Sequence, residues 1–364
     1  MPARPEVLLA RRGGVVELLR LPALLVGAVS AARNRLYDSG WLPSHRLPLP
    51  VVSVGNLSVG GTGKTPMVVL LARSLAERGM QPGVLSRGYR AAEQNDGGAG
   101  LNDEGRLFQR LLPDVPQVQD ANRVRGAAEL SRLGAESIVL DDGFQHRRLA
   151  RDLDLVLVDA TRPWGLPARE PDEAVRALLP RGLLREAPRS LRRADAIVIT
   201  RADALDADGL ARLDAELERE VPGKPRLLAE HRPVGVRASG KGAEQELGLD
   251  ALRGRRVRLV SGIGNPEAFE RTARAVGAEV EAVHAFPDHH SFTAEELEAL
   301  REGGELLVTS KDAVKLAELC VPHLVLDVEL TITRGEKVLT ALLDALPRSQ
   351  RTLERDAAHS GLHG

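Results

Sequence analysis

The chain has 364 residues, of which 43% are hydrophobic and 28% charged, and its net charge is -1. This is the composition of an ordinary soluble globular protein, and the length suffices for two domains. The single cysteine, Cys320, excludes an intramolecular disulfide and fits a reducing compartment. Only 6 of the 50 cationic residues are lysines, so a lysine at a candidate site is informative.

The N-terminal segment, residues 1–36, combines six arginines with apolar stretches. Its longest run without a charged residue, 21–32, has twelve residues, whereas a membrane-spanning helix needs about 20. No small-residue cleavage site follows a single apolar core, which argues against a secretory signal. Two interpretations stay open: a helix packed on the protein's own core, or a cationic helix lying in the headgroup layer of a membrane.

The next segment has the pattern of a phosphate-binding loop. An apolar run, "LPVVSV", leads into "GNLSVGGTGKTP" and then into a helical stretch at 64–79. Gly63, Lys64 and Thr65 match the end of GxxxxGK[ST], although Ser58 replaces its first glycine. Backbone amides and the helix N-terminus would surround phosphate oxygens, Lys64 would contact the β- and γ-phosphates, and Thr65 would bind Mg²⁺. The predicted nucleotide-binding residues are Ser58, Val59, Gly60, Gly61, Thr62, Gly63, Lys64 and Thr65.

Strand-like and helical runs then alternate along the chain. The runs "AESIVLDDG", "DLDLVLVDA" and "ADAIVIT" predict an α/β fold with a parallel sheet covered on both faces. Asp141 and Asp142 end the first of these strands, where open α/β sheets bind ligands. One of the two carboxylates is the expected ligand of a nucleotide-bound Mg²⁺, and the alternative is that one caps a loop. Asp103, judged by residue type alone, is better explained as the N-cap of a helix at 103–112.

A smaller strand–helix block begins near residue 230, after which the polar, glycine-rich stretch "GVRASGKGAEQELG" indicates a boundary. Its loop "AFPDHHSFT" carries two adjacent histidines, His289 and His290, and its "TSKDAVKL" carries Lys311 and Lys315. With Arg87, Arg123 and Arg125 these two lysines are candidates for a cationic wall around an anionic substrate, and the alternative is that the charges are merely solvated. The predicted substrate contacts are Arg87, Arg123 and Lys311. The predicted domains are 1–36, an N-terminal helical segment; 37–235, a P-loop domain; 236–346, a smaller α/β domain; and 347–364, a flexible tail.

One motif supports a competing function. "IVITRAD" is similar to the guanine-reading motif N/T-K-x-D, with Thr200 and Asp203 in place and Arg201 replacing the lysine. The alternative function is therefore a P-loop GTPase of regulatory or metallochaperone type. A nucleotide-binding membrane adaptor without catalysis is a third possibility, which the carboxylates near the loop disfavour.

Six motifs occur in the order found in the tetraacyldisaccharide 4'-kinases, the lipid A 4'-kinases of Gram-negative bacteria. They are "VGNLSVGGTGKTP", "LSRGY", "NDE", "DDGFQH", "FPDHH" and "TSKDAVKL", and the resemblance covers residues 10 to 345. It implies a P-loop kinase domain, a smaller C-terminal α/β domain and a membrane-seeking N-terminal helix. The implied reaction moves the γ-phosphate of ATP, with Mg²⁺, onto the 4'-hydroxyl of tetraacyldisaccharide 1-phosphate and gives lipid IVA.

The resemblance also implies roles for particular residues. Lys64 and Thr65 serve ATP and Mg²⁺, and the metal and catalytic centre is lined by Asp141, Asp142 and Gln145. Asp103 matches the general base of the family's "GDEP", although this chain has "NDEG", and His289 matches the histidine that supports that base. Arg123 aligns with a family arginine, with Arg125 competing for the position.

The implied location is the cytoplasmic side of the bacterial inner membrane, with a peripheral or monotopic attachment. A lipid acceptor favours the membrane interpretation of residues 1–36, because several acyl chains cannot be carried far through water. The expected partners are the lipid disaccharide and the membrane, with no nucleic acid and no obligate protein. Since Asp103 and His289 fall in different predicted domains, the active site is expected in a cleft between domains that closes on ATP and lipid.

Overall fold

The computed structural model describes residues 8–88, 101–167, 175–240, 244–288 and 290–360. The chain divides into two compact units. Among the described residues, unit 1 contains 8–88, 114–230 and 332–360, and unit 2 contains 101–113 and 231–331.

Strands and helices alternate through both units. The strands are β1 (Val51–Asn56), β2 (Pro82–Ser86), β3 (Gln117–Gln119), β4 (Ser137–Asp141), β5 (Leu153–Asp159), β6 (Ala196–Thr200), β7 (Arg226–Ser239), β8 (Gln245–Leu247), β9 (Arg256–Ser261), β10 (Glu279–Ala285), β11 (Glu305–Thr309) and β12 (His323–Arg334). The α-helices are α1 (Arg20–Asp38), α2 (Lys64–Glu77), α3 (Asp103–Leu111), α4 (Arg123–Arg132), α5 (Ala207–Glu220), α6 (Pro266–Ala275), α7 (Ala294–Arg301), α8 (Ser310–Leu316), α9 (Glu336–Asp344) and α10 (Gln350–Ser360).

Unit 1 is built on a parallel sheet with the order β7-β6-β5-β1-β4-β2-β3. Strands β1, β2, β4, β5 and β6 are buried along their whole length, which explains their continuous apolar sequences. Helix α2 packs on this sheet through buried residues that include Met67, Leu71 and Leu75. Because neighbouring strands are parallel, β1, β4, β5 and β6 all end at one edge, and the residues that follow them are close together.

Helix α1 has one face on unit 1 and another in solvent. On the docked face, the Arg33 guanidinium donates to Gln145 O at 2.6 Å, and Asn34 Nδ2 donates to the buried Glu186 carboxylate at 2.8 Å. The opposite face exposes Leu21, Leu24 and Leu25 at 67–72% of their surface. By length and composition, Gly14–Asp38 is the one described helical stretch that could cross a membrane, although its longest uncharged run predicted otherwise.

The C-terminal residues differ from the expected flexible tail. Residues 350–360 form α10, in which Thr352 and Arg355 both donate to the buried carboxylate of Glu136. A buried carboxylate needs such donors, and neither partner is near Glu136 in sequence. Residues 361–364 lie outside the described part of the chain.

The strands of unit 2 follow the order β10-β9-β11-β12-β7, with β8 paired antiparallel to β7. The core of unit 2 includes Val257, Leu259, Leu307 and Leu326. Helix α3 packs against α8 in this unit, whereas the sequence had placed residues 103–112 in the first domain. Ion pairs from Arg106 to Glu318 and from Arg110 to Glu244 connect α3 to the rest of unit 2. No local sequence pattern predicts these pairs.

Candidate phosphate-binding site

The predicted phosphate loop connects β1 to α2 in unit 1. Gly60 and Gly63 have φ angles of 121° and 90°, which L side chains rarely adopt, so glycine is needed at both positions. Gly63 is the N-cap of α2, and Lys64 and Thr65 are the first two helical residues. The side chain of Ser58, in place of the usual first glycine, is buried, and its backbone forms a bridge with Leu184. The loop therefore has the geometry of an anion site at a helix N-terminus.

Neighbouring segments hold the loop from its two ends. Asn56 Nδ2 donates to the hydroxyl of Thr62 at 2.9 Å, and Gln145 Nε2 donates to Asn56 O at 2.8 Å. The backbone N–H of Val59 donates to Leu183 O at 2.8 Å, and the N–H of Arg185 donates to Leu57 O at 2.7 Å. These bonds constrain the loop at both of its ends.

The Asp142 carboxylate lies close to the candidate lysine. Its Oδ1 lies 3.6 Å from Lys64 Nζ, and Arg185 Nη1 donates to its two oxygens at 2.9 and 2.7 Å. Burial would raise the pKa of Asp142, but the positive charges of Lys64 and Arg185 outweigh that effect and hold it below its ordinary value. Asp142 also has a left-handed backbone, with φ 52°. The carboxylate is thus kept ionised beside the phosphate loop.

The other predicted metal ligands belong to the same edge of the sheet. Asp141 is the last residue of β4 and is paired in register with Val54 of β1. Gln145 Oε1 is 3.5 Å from Arg185 Nη1, while its amide nitrogen is bonded to Asn56 O. Within the described ranges no three His, Cys, Asp or Glu residues form a metal-binding group. The available donors, Thr65, Asp141, Asp142 and Gln145, are oxygen donors, which fits Mg²⁺ held by few protein ligands together with phosphates.

The structure distinguishes the two arginines of α4. Arg123 is 3% exposed, and the negative charges of Asp141 and Asp142 act on it. Burial lowers the pKa of Arg123, and those carboxylates partly offset the effect. Arg125 instead forms an exposed ion pair with Asp120. Arg123, not Arg125, therefore accompanies the carboxylate pair, and the exposed Arg87 adds a second positive charge near it.

Among the described residues, three sequence candidates, Asp103, His290 and Lys311, fall in unit 2. Asp103 is the first residue of α3, whose N-cap is Asn102, with Asn102 Oδ1 accepting from Gly105 N at 3.0 Å. The capping role suggested for Asp103 thus belongs to its neighbour. Lys311 donates to Asp288 Oδ1 at 2.9 Å; burial opposes its charge, but Asp288 and Glu104 raise its pKa. His289 lies outside the described residues, and His290 is bonded to Glu296 and stacked on Phe286.

Sequence reasoning missed two residues of the site. Arg185 lies 43 residues after Asp142 in the sequence and is not part of any of the motifs named above. Asn56 is part of the quoted loop, but only its bond to Thr62 reveals its role. The only sequence signal for Arg185 was compositional. Because lysine is scarce in this chain, a further cation at the site was expected to be an arginine.

These features define a P-loop nucleotide-binding protein of the α/β class. A central parallel strand passes through a glycine-rich loop into a helix beginning with lysine and threonine, and carboxylates follow the adjacent strand.

Comparison with known proteins identifies the family. The family model described as tetraacyldisaccharide-1-P 4'-kinase matches residues 15–347. A tetraacyldisaccharide 4'-kinase of Anaeromyxobacter dehalogenans (strain 2CP-C) is 43% identical, with 93% of this chain and 92% of that protein covered. One of Syntrophus aciditrophicus is 37% identical, with 86% and 89% covered. The chain belongs to the tetraacyldisaccharide-1-P 4'-kinase family.

A solved structure is similar to the whole fold. LpxK from Aquifex aeolicus, crystallised in complex with ATP, matches with a TM-score of 0.66 and 31% identity, over 91% of this chain and all of that one. The family resemblance drawn from the motifs is confirmed. The GTPase alternative gains no comparable support.

Proposed function

We propose that this chain transfers the γ-phosphate of ATP to the 4'-hydroxyl of tetraacyldisaccharide 1-phosphate, giving lipid IVA in lipid A biosynthesis. The observation that carries the proposal is the phosphate loop with Lys64 and the ionised Asp142 at 3.6 Å, in a member of this kinase family. Phosphoryl transfer requires mainly positioning and charge neutralisation, which such a site supplies.

The nucleotide phosphates are assigned to residues 58–65. Backbone amides of the loop and the N-terminus of α2 offer hydrogen bonds and partial positive charge to phosphate oxygens. Lys64 adds a full charge, and Arg185 and Arg123 add further charges beside the same edge of the sheet. Mg²⁺, when bound, neutralises charge on the phosphates, and Thr65, Asp141, Asp142 and Gln145 are the residues that would hold it.

Asp103 is proposed as the general base. Its carboxylate would take the proton of the 4'-hydroxyl while that oxygen forms a bond to the γ-phosphorus and the bond to the β-phosphate oxygen breaks, releasing ADP. A base of this kind contributes about 10²–10⁴-fold. The capping bond of α3 is made by Asn102, so the Asp103 carboxylate is not needed for that task. His289 is the proposed support of this base, and Arg87, Arg123 and Lys311 are the proposed substrate contacts.

The proposed location is the cytoplasmic face of the inner membrane. The apolar face of α1, with Leu21, Leu24 and Leu25 exposed, supports a peripheral or monotopic attachment. Six arginines in residues 1–36 would add attraction to anionic headgroups. An enzyme attached in this way meets an acceptor whose acyl chains stay in the bilayer.

The experiment is transfer of labelled γ-phosphate to the purified disaccharide lipid by the full chain, comparing Asp103→Asn with Glu104→Gln. Both substitutions remove a carboxylate charge from the first turn of α3, so they affect the helix alike. We expect Asp103→Asn to lose at least about 10²-fold in kcat while still binding ATP, and Glu104→Gln to stay within a few-fold.

Equal rates for the two variants would contradict the role of Asp103. Lack of transfer by the wild type, with hydrolysis of GTP in preference to ATP and no need for lipid, would contradict the kinase proposal and favour the GTPase alternative.

A further inference from the structure

Two carbonyl groups of the phosphate loop point to the end of β6. Thr200 Oγ1 donates to Thr62 O at 2.9 Å, with Val158 O a more distant acceptor at 3.5 Å. Arg201 Nη2 donates to Gly61 O at 2.9 Å. Thr200 is fully buried, so its hydroxyl makes this bond without competition from bulk water. These residues come from "ITRAD", the motif that the kinase interpretation leaves without a role.

Arg201 is itself held firmly in place. Its Nη1 forms an ion pair with the buried Asp159 at 2.5 Å. Asp159 Oδ1 in turn accepts from the backbone N–H and the hydroxyl of Thr161, at 3.0 and 2.7 Å. Arg201 also has a φ angle of 55°, a left-handed conformation that non-glycine residues rarely adopt. A backbone in this state persists only where surrounding contacts determine it.

The direction of a carbonyl fixes the direction of the next amide. In a planar trans peptide the C=O of one residue and the N–H of the following residue point to opposite sides. The bond from Thr200 to Thr62 O therefore directs the N–H of Gly63 away from β6. Gly63 is the N-cap of α2, directly before Lys64, where the helix presents its unsatisfied N–H groups.

We propose that Thr200 is a positioning residue that preorganises the Gly63 amide for phosphate binding by holding the Thr62 carbonyl toward β6. Arg201 holds Gly61 O beside it, and the Thr62 amide is bonded to Gly60 O at 3.1 Å. This inference rests on the proposed function, since it assumes that residues 58–65 bind nucleotide phosphates. Donors that are already oriented need no reorganisation when the anion arrives, and binding is stronger for that reason. "ITRAD" thus acts on the phosphate loop and not on a guanine base.

The test compares Thr200→Val with Thr200→Ser in the full chain, using calorimetric titration with ADP and Mg²⁺. Valine keeps the shape and removes the hydroxyl, whereas serine keeps the hydroxyl. Thr272→Val is the matched control, because that hydroxyl donates to a main-chain carbonyl, Ala268 O, at the same 2.9 Å but in unit 2. We expect Thr200→Val to weaken ADP binding about 5–10-fold and the other two variants to stay within about two-fold.

A second measurement separates positioning from general destabilisation. The KM for ATP should rise with Thr200→Val while the melting temperature follows that of Thr272→Val. Unchanged ADP affinity in Thr200→Val, or equal losses in the valine and serine variants, would overturn the inference. A wild type that binds no ADP would overturn the proposed function and this inference with it, whereas a wild type that binds ADP leaves only the inference at stake.

Discussion

Asp142 is ionised in the folded chain because two cations outweigh the effect of its burial. Arg185 contacts both of its oxygens, and Lys64 adds a more distant charge. The loss of either cation would leave a carboxylate that is harder to ionise beside the phosphate loop. Arg185 is therefore as much a part of the site as the residues of the P-loop motif.

Replacing Arg185 tests this balance. In the wild type the pKa of Asp142 is lowered, so its charge is present above that pKa and is lost only in acid. Arg185→Met removes a cause of the lowering, so the pKa rises and the acid limb of the kcat profile moves to higher pH. We expect kcat at neutral pH to fall about 10²-fold as well.

The pH-rate profile from pH 4 to 9 is the measurement, with Arg176→Met as control. Arg176 is an arginine of the same unit that pairs with Glu216 and Glu220 and stacks over Trp164. An acid limb that stays in place in Arg185→Met would show that Asp142 does not control it.

At the level of elements, Arg181 attaches the stretch that precedes α1 to the rest of unit 1. Arg181 is fully buried and donates to Leu9 O, Arg11 O and the carboxylate of Glu17, at 2.7, 2.9 and 2.7 Å. The bond from Arg181 is the main cause that lowers the pKa of Glu17 to about 2. The same stretch of chain supplies Leu183, Leu184 and Arg185 to the phosphate loop. The stretch 181–185 therefore contacts both the segment before α1 and the phosphate loop.

Removing that arginine should release the segment. In Arg181→Met, two carbonyls and one carboxylate lose their donor, so the segment opens more often. We expect trypsin to cleave after Arg11, Arg12 or Arg20 about ten-fold faster, as followed by mass spectrometry. Arg46→Met is the control, because its pair with Asp152 is exposed. Equal cleavage rates in the two variants would refute the attachment.

Local sequence patterns predicted much of the element structure. The helix expected at 64–79 is α2, the helix at 103–112 is α3, and three apolar runs are β4, β5 and β6. Each of these signals is contained in a few neighbouring residues: an apolar run, a glycine-rich loop or a helical period. The short β3, only partly buried, and the helix α10 have no such signal and were not expected.

At the scale of the whole molecule, the features that the sequence did not predict depend on contacts between residues far apart in the chain. Arg185 reaches Asp142, Arg181 reaches Glu17 and Arg355 reaches Glu136, each across many residues. Residues 101–113 belong to unit 2 although unit 1 continues at 114, because the stabilising ion pairs of α3 are with residues beyond 240. A sequence periodicity cannot reveal the partner of a single charged residue, so Lys64 was predictable and Arg185 was not.

At the scale of the whole molecule, the proposed membrane attachment is expected to depend on the exposed leucines of α1. Replacing Leu21, Leu24 and Leu25 by serine removes apolar area from the solvent-facing side of α1 without disturbing its docked side. We expect binding of the full chain to anionic vesicles to weaken at least ten-fold, because each leucine contributes about 1.5–3 kcal/mol when it leaves water.

Co-sedimentation with vesicles measures this, with Leu133→Ser as control, since Leu133 is 55% exposed elsewhere in unit 1. Salt should weaken binding to anionic vesicles more than to zwitterionic ones, because arginine attraction is screened. A triple variant that sediments like the wild type would rule out α1 as the attachment site.

The left-handed backbone of Asp142 has a consequence for anyone who wishes to engineer this enzyme. Glycine adopts this conformation with less strain than aspartate. Selection for thermal stability alone would therefore favour the substitution Asp142→Gly. We expect Asp142→Gly to raise the melting temperature and to lower the rate of phosphate transfer. If the proposed role of Asp142 holds, thermal stability and turnover compete at this residue, and directed evolution has to screen for both.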